Sequence, residues 1–132
     1  MDKTEIIEKL RDDEQYYGDF GKKFLSKSDI SALLYNPLEF KKPLYPSPAL
    51  VIGGYFHTCI LEPNKLDKYK IIESSSRNTK MYKELSEGDI CLLEKEADEI
   101  QLMREKVLSV DLFKDLIQEG NIEYEKPGII DL

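Results

Sequence analysis

The chain has 132 residues, 41% hydrophobic and 34% charged, with 26 acidic side chains against 19 basic ones for a net charge of −7. That length fits one domain with a modest core, and the balance is globular rather than disordered. No apolar run approaches the roughly 20 residues that span a bilayer, the charged start is not a secretory signal, and global acidity argues against a dedicated nucleic-acid coat protein. These features predict a soluble, cytoplasmic protein with a single domain over residues 1–132.

Residues 2–13 carry Ile6, Ile7 and Leu10 at helical spacing among charges, which predicts a short amphipathic helix. Tyr16-Tyr17-Gly18-Asp19-Phe20-Gly21 reads as a loop. Its rings are of the kind that stack on bases, but anchoring the loop is their plainer role. Ser28 is expected to open a second helix, with Asp29 favouring its positive end and Ile30, Leu33 and Leu34 as its buried stripe. Asn36-Pro37 breaks that helix. Leu38 to Lys42 adds a further turn, and Pro43 to Pro48 is extended.

From Ser47, with Pro48 in its first turn, a strong helix runs to Leu61 and stops before Glu62-Pro63. It is apolar nearly all round, which predicts a central, buried helix. Gly53 and Gly54 each cost about 1 kcal/mol relative to alanine, so they imply close backbone packing or access for another group. Extended chain is expected at 69–72, a polar loop at 74–76 and a short helix from Arg77 to Leu85, halted by Glu87-Gly88. Asp89 then caps a long helix over about 90–108, with Ile90, Leu93, Ala97, Ile100, Met103 and Val107 on one side. Another helix covers 110–118 and ends at Gly120. Residues 121–126 alternate apolar with polar and predict a strand. Helices first and then the start of a sheet make an α/β (α+β) class. A lone strand pair is only marginally stable, which leads to the expectation that more chain belongs here.

Cys59 and Cys91 lie far apart in apolar segments with no CxxC pair, which predicts buried free thiols and no zinc site. The single histidine is His57. On physical grounds a lone histidine on an apolar helix is first a packed core residue. Its imidazole could also ligate a divalent metal if carboxylates from elsewhere completed the site. Basic candidates for phosphate contact are Lys22, Lys23, Lys27, Lys41, Lys42, Arg77, Lys80 and Lys83.

Leu25-Ser26-Lys27-Ser28, then Asn36-Pro37 and Phe40-Lys41, then Ala49-Leu50 leading into Gly53-x-x-x-His57 and Leu61-Glu62-Pro63, resemble the opening of RecE-type exonucleases of the PD-(D/E)XK nuclease superfamily. Arg77, Lys80, Tyr82 and Lys83, then Met103 and Val107, then Gly120 and Glu123, follow in the expected order. The resemblance covers most of residues 16–126 and implies a helical N-terminal portion leading into the first strand of a nuclease-like mixed sheet. It implies hydrolysis of linear double-stranded DNA with Mg2+ or Mn2+, in phage-type recombination, by a protein that forms homo-oligomers or meets a recombination partner. Under it His57 is a metal ligand, Glu123 and Asp131 (in Gly128-Ile129-Ile130-Asp131) are candidate acidic ligands, and Lys27, Ser28, Arg77 and Lys80 contact DNA. The plainer roles are a solvated strand residue for Glu123 and a strand-end carboxylate for Asp131. The Asp/Glu-x-Lys motif is expected downstream of Asp131. Glu39-Phe40-Lys41 and Glu94-Lys95-Glu96 lie on predicted helices and do not replace it. The chain is therefore expected to be the N-terminal part of a longer nuclease domain, to work with a separately supplied half, or to be a non-catalytic module that binds DNA or a partner.

Overall fold

The computed structural model describes residues 1–131. They are mostly helical with one small parallel sheet, a mixed α+β class. Contacts divide them into two compact units. No helix among the described residues is long and apolar enough to cross a membrane.

The first unit comprises residues 1–44 with the tail from Glu125. It holds α1 (Lys3–Leu10), α2 (Asp13–Tyr17) and α3 (Lys27–Tyr35), with single 3-10 turns at Gly21–Lys23 and Pro37–Glu39. Cap chemistry sets the helix starts. Asp2 and Glu5 form a reciprocal capping box on α1, and Ser26 and Asp29 form one on α3. The cap of α3 is thus Ser26, two residues before the expected Ser28. The loop expected after residue 15 is helical as far as Tyr17, because the Asp12 carboxylate accepts from the Glu14 amide and starts a turn there. The buried stripe expected on α3 is absent: Leu33 is 44% exposed and Leu34 70%. A nine-residue helix with few neighbours has too little partner surface to enclose three large side chains.

The second unit, Tyr45–Tyr124, carries the larger core. It begins with α4 (Pro48–Leu61), capped by the Ser47 side chain on the Leu50 amide. A 3-10 stretch at Pro63–Lys68 leads into β1 (Ile71–Ile72). Then come α5 (Lys80–Ser86), β2 (Leu92–Leu93), α6 (Glu94–Leu108) and α7 (Asp111–Gln118). β1 and β2 pair in parallel, Ile71 with Leu92 and Ile72 with Leu93.

The two strands form a partition between two clusters. Leu92 joins Tyr55, Cys59, Ala97 and Ile100, the seam between α4 and α6. Cys91 and Leu93 face the other way, onto Ile72 and Tyr82. The period of two puts neighbouring side chains on opposite faces. This corrects the long helix expected from residue 90. An apolar run buried on both faces lacks the alternation that marks a half-exposed strand. The helix starts only at Glu94, where the Glu96 carboxylate accepts from the Leu93 amide at 3.0 Å.

Residues 121–126 are not a strand, so the sheet does not begin where the alternation pointed. Ile122 and Tyr124 are half-buried, and the Tyr124 hydroxyl donates to the Ile117 carbonyl. The alternating pattern ties a loop to α7 instead of building a ladder.

Candidate functional site

α4 is less buried than its composition predicts. Tyr55, Thr58 and Cys59 are enclosed, while Leu50, Gly53 and His57 are exposed. The apolar side faces α6, where Gln101 Nε2 donates to Tyr55 Oη at 3.2 Å and Arg104 Nε donates to the Cys59 carbonyl at 2.9 Å. His57 therefore lies on the solvent side of the helix and is not a core histidine.

The paired glycines have separate roles. A Cβ on Gly54 would lie 2.9 Å from the Tyr69 hydroxyl, so this glycine admits the tyrosine ring against the helix. There Thr58 Oγ1 donates to the Gly54 carbonyl at 2.9 Å and lies 3.3 Å from Tyr69 Oη, and the Tyr55 and Tyr69 rings meet edge to face. Gly53 has no atom within 4 Å of where its Cβ would stand. It lies one turn before His57 and leaves the backbone on that side uncovered.

The other two proposed ligands lie on segments outside α4. Glu123 is exposed in the loop after α7. Asp131 belongs to the first unit, where it pairs with Lys3 Nζ at 2.7 Å. Among the described residues, no group of three or more His, Cys, Asp or Glu side chains could hold a metal ion. The residues present do not fit the divalent metal that the resemblance implies, since one imidazole does not retain Mg2+ or Mn2+ alone.

The DNA-contact candidates separate into two kinds. Lys27, Ser28 and Lys80 are exposed at helix starts, and Lys80 Nζ lies 3.8 Å from Glu84 Oε1. Arg77 has an internal role. Its guanidinium donates twice to Glu96, at 2.8 and 2.6 Å, and once to the Cys91 carbonyl at 3.1 Å. It thereby ties the loop before α5 to the start of β2 and the first turn of α6. Burial pushes the Glu96 carboxyl up, but the Arg77 guanidinium and the Leu93 amide outweigh it and hold the group below its ordinary range. Lys41 is likewise internal. In a left-handed conformation (φ 55°), it donates to the Lys22 and Phe24 carbonyls and to Asp29.

The sequence offered no signal for either latch. The partners stand 19 residues apart for Arg77 and Glu96, and 12 for Lys41 and Asp29. A shallow groove of about 370 Å³ lies beside the ends of β1 and β2, lined by Glu73, Ser74, Thr79, Glu94 and Lys95 among others. It contains none of the candidate residues. The chain matches no family model, no curated protein and no solved structure.

Proposed function

We propose that this chain is the N-terminal part of a divalent-metal-dependent exonuclease acting on linear double-stranded DNA, to which it contributes a DNA-facing surface carrying His57. The observation that supports this reading is the exposure of His57 one turn after the uncovered Gly53. A histidine that merely filled a core would lie on the Tyr55 and Cys59 side of α4. On the opposite side, an imidazole is accessible to a ligand, and the bare glycine backbone leaves room for one. Lys27 and Ser28 at the start of α3 and Lys80 at the start of α5 supply exposed groups suited to phosphate oxygens. Arg77 contributes by holding the fold.

These residues do not assemble a full metal-ligand set, so no hydrolytic step is assigned to them. The acidic ligands and the lysine of an Asp/Glu-x-Lys strand would come from further chain or from a second subunit. A non-catalytic module that binds DNA or a recombination partner is the second reading. It is favoured by the engagement of Asp131 with Lys3 and of Arg77 with Glu96.

The test pairs digestion of end-labelled linear duplex, with Mg2+ or Mn2+, with Mn2+ binding followed by electron paramagnetic resonance. Both use the chain alone and joined to its downstream coding sequence, each beside His57→Ala. Metal-dependent digestion by the longer form, lost in the variant, is the expected result. Metal-independent duplex binding by both forms, untouched by the variant, would replace the nuclease with the binding module.

A further inference from the structure

α7 is an eight-residue helix with no enclosed side chain, too short to persist without packing. It has no side-chain cap at Val110. α6 and the Tyr124 hydroxyl on the Ile117 carbonyl support one edge. The rest of its apolar surface faces solvent: Leu112 is 63% exposed, Phe113 47% and Leu116 68%. Leu112 and Leu116 are one turn apart and form a ridge.

The charge beside this ridge is one-sided. Asp111 and Asp115 follow at an interval of four, which lines them along the edge next to Leu112 and Leu116, and Glu119 stands just past the last turn. None of the three carboxylates makes an ion pair among the described residues. Lys114 falls on the far side of the helix. An apolar ridge with an uncompensated acidic edge repels phosphodiester backbones and anionic lipid surfaces. It fits an apolar groove or helix whose edge is basic.

We propose that α7 is a docking helix for a protein partner that presents an apolar surface edged by lysine or arginine, such as a basic amphipathic helix. The leucines supply the contact area and the carboxylates select the partner. The surface lies on a different helix from His57 and does not depend on the nuclease reading.

The probe is a fluorescently labelled basic amphipathic peptide with leucines at helical spacing and lysines elsewhere, titrated with the intact chain by anisotropy. A peptide of the same composition with its leucines scattered is the control. Leu112→Ser with Leu116→Ser should weaken binding of the amphipathic peptide by about tenfold or more. Asp111→Lys with Asp115→Lys should weaken it similarly and flatten its salt dependence. Leu38→Ser, at a still more exposed leucine in the first unit, should leave it unchanged. Circular dichroism of each variant shows that the fold is retained.

Equal binding of the scattered peptide, or insensitivity to the α7 substitutions, overturns the proposal. Two further measurements can also overturn it. Partition onto phosphatidylserine vesicles that needs Leu116 would make the occupant a membrane. Sedimentation showing a dimer abolished by Leu116→Ser would make it a second copy of the chain.

Discussion

Gly53 and Gly54 are adjacent in one helix, and the structure predicts opposite outcomes for the same substitution. In a helix interior, glycine to alanine gains about 1 kcal/mol from propensity alone. At Gly53 the new methyl meets nothing within 4 Å, so Gly53→Ala should be stabilising by roughly that amount. At Gly54 the methyl would stand 2.9 Å from Tyr69 Oη, closer than packed atoms sit. The ring must withdraw, which loosens its edge contact with Tyr55 at 5.3 Å and its bond with Thr58 at 3.3 Å. Overpacking of this kind costs about 1–3 kcal/mol, so the net change for Gly54→Ala is a loss of about 1 kcal/mol. The next-nearest atoms lie at 3.8 and 4.0 Å, an ordinary contact. Removing only the hydroxyl should therefore reverse the sign, and in a Tyr69→Phe background Gly54→Ala should become stabilising by about 1 kcal/mol. Urea unfolding followed by far-ultraviolet circular dichroism, with tyrosine fluorescence as a second probe since the chain has eight tyrosines and no tryptophan, gives all four corners of the cycle. If Gly54→Ala is as stabilising as Gly53→Ala while Tyr69 is intact, the packing role assigned to Gly54 is wrong.

Other outcomes follow from groups already placed. Arg77→Ala should cost about 2 kcal/mol in urea unfolding, a buried-pair figure reduced because the two side chains keep 22% and 18% of their exposure; Glu96→Gln should cost less, since its amide still accepts one bond. Hydrogen bonding from the Ser26 amide, then the Lys41 ammonium, holds the Asp29 carboxyl below its ordinary range. The stability it lends is thus present above the unfolded aspartate value of about 3.9 and fades as pH falls through the lower folded value. Asp29→Asn should show a shallower loss of stability on acidification, and carboxyl chemical shifts in the parent should titrate below the unfolded value. Cys59 is fully enclosed and Cys91 nearly so, and burial raises the Cys59 thiol above its usual range. Both should resist a thiol reagent in the folded chain and react together on unfolding. Rapid labelling of either in native buffer would contradict the two-cluster core.

Local chemistry made some elements legible in sequence. Ser47-Pro48 and the break at Glu62-Pro63 mark both ends of α4, because caps and prolines act within a turn of where they stand. The stop after α5 was equally plain: Glu87 and Gly88 both take positive φ there. β2 was obscured because Cys91, Leu92 and Leu93 are buried whichever way they point, leaving no polar residue to betray the period. Residues 121–126 misled for the opposite reason, since alternation needs only one wet face and one dry one, and a loop pinned by Tyr124 has both. The candidate site was legible only as residue types. Nothing local said that His57 would face solvent, or that the Arg77 guanidinium would find Glu96 across a helix and a strand.

The partition formed by β1 and β2 also constrains how this chain tolerates change. Leu92 serves the α4–α6 cluster, while Cys91 and Leu93 serve the cluster under α5. A shift of β2 by one residue would move Cys91 into the space shaped for a leucine and drive Leu92 against Tyr82, leaving one cluster underfilled and the other overfilled. Two backbone pairs hold little register by themselves, so side-chain volume on both faces acts as the ruler. Loop length between Gly88 and Cys91 is therefore tightly constrained, although the segment lies between two helices where insertions are usually absorbed. The two clusters share a boundary three residues long, and neither can be repacked without regard to the other.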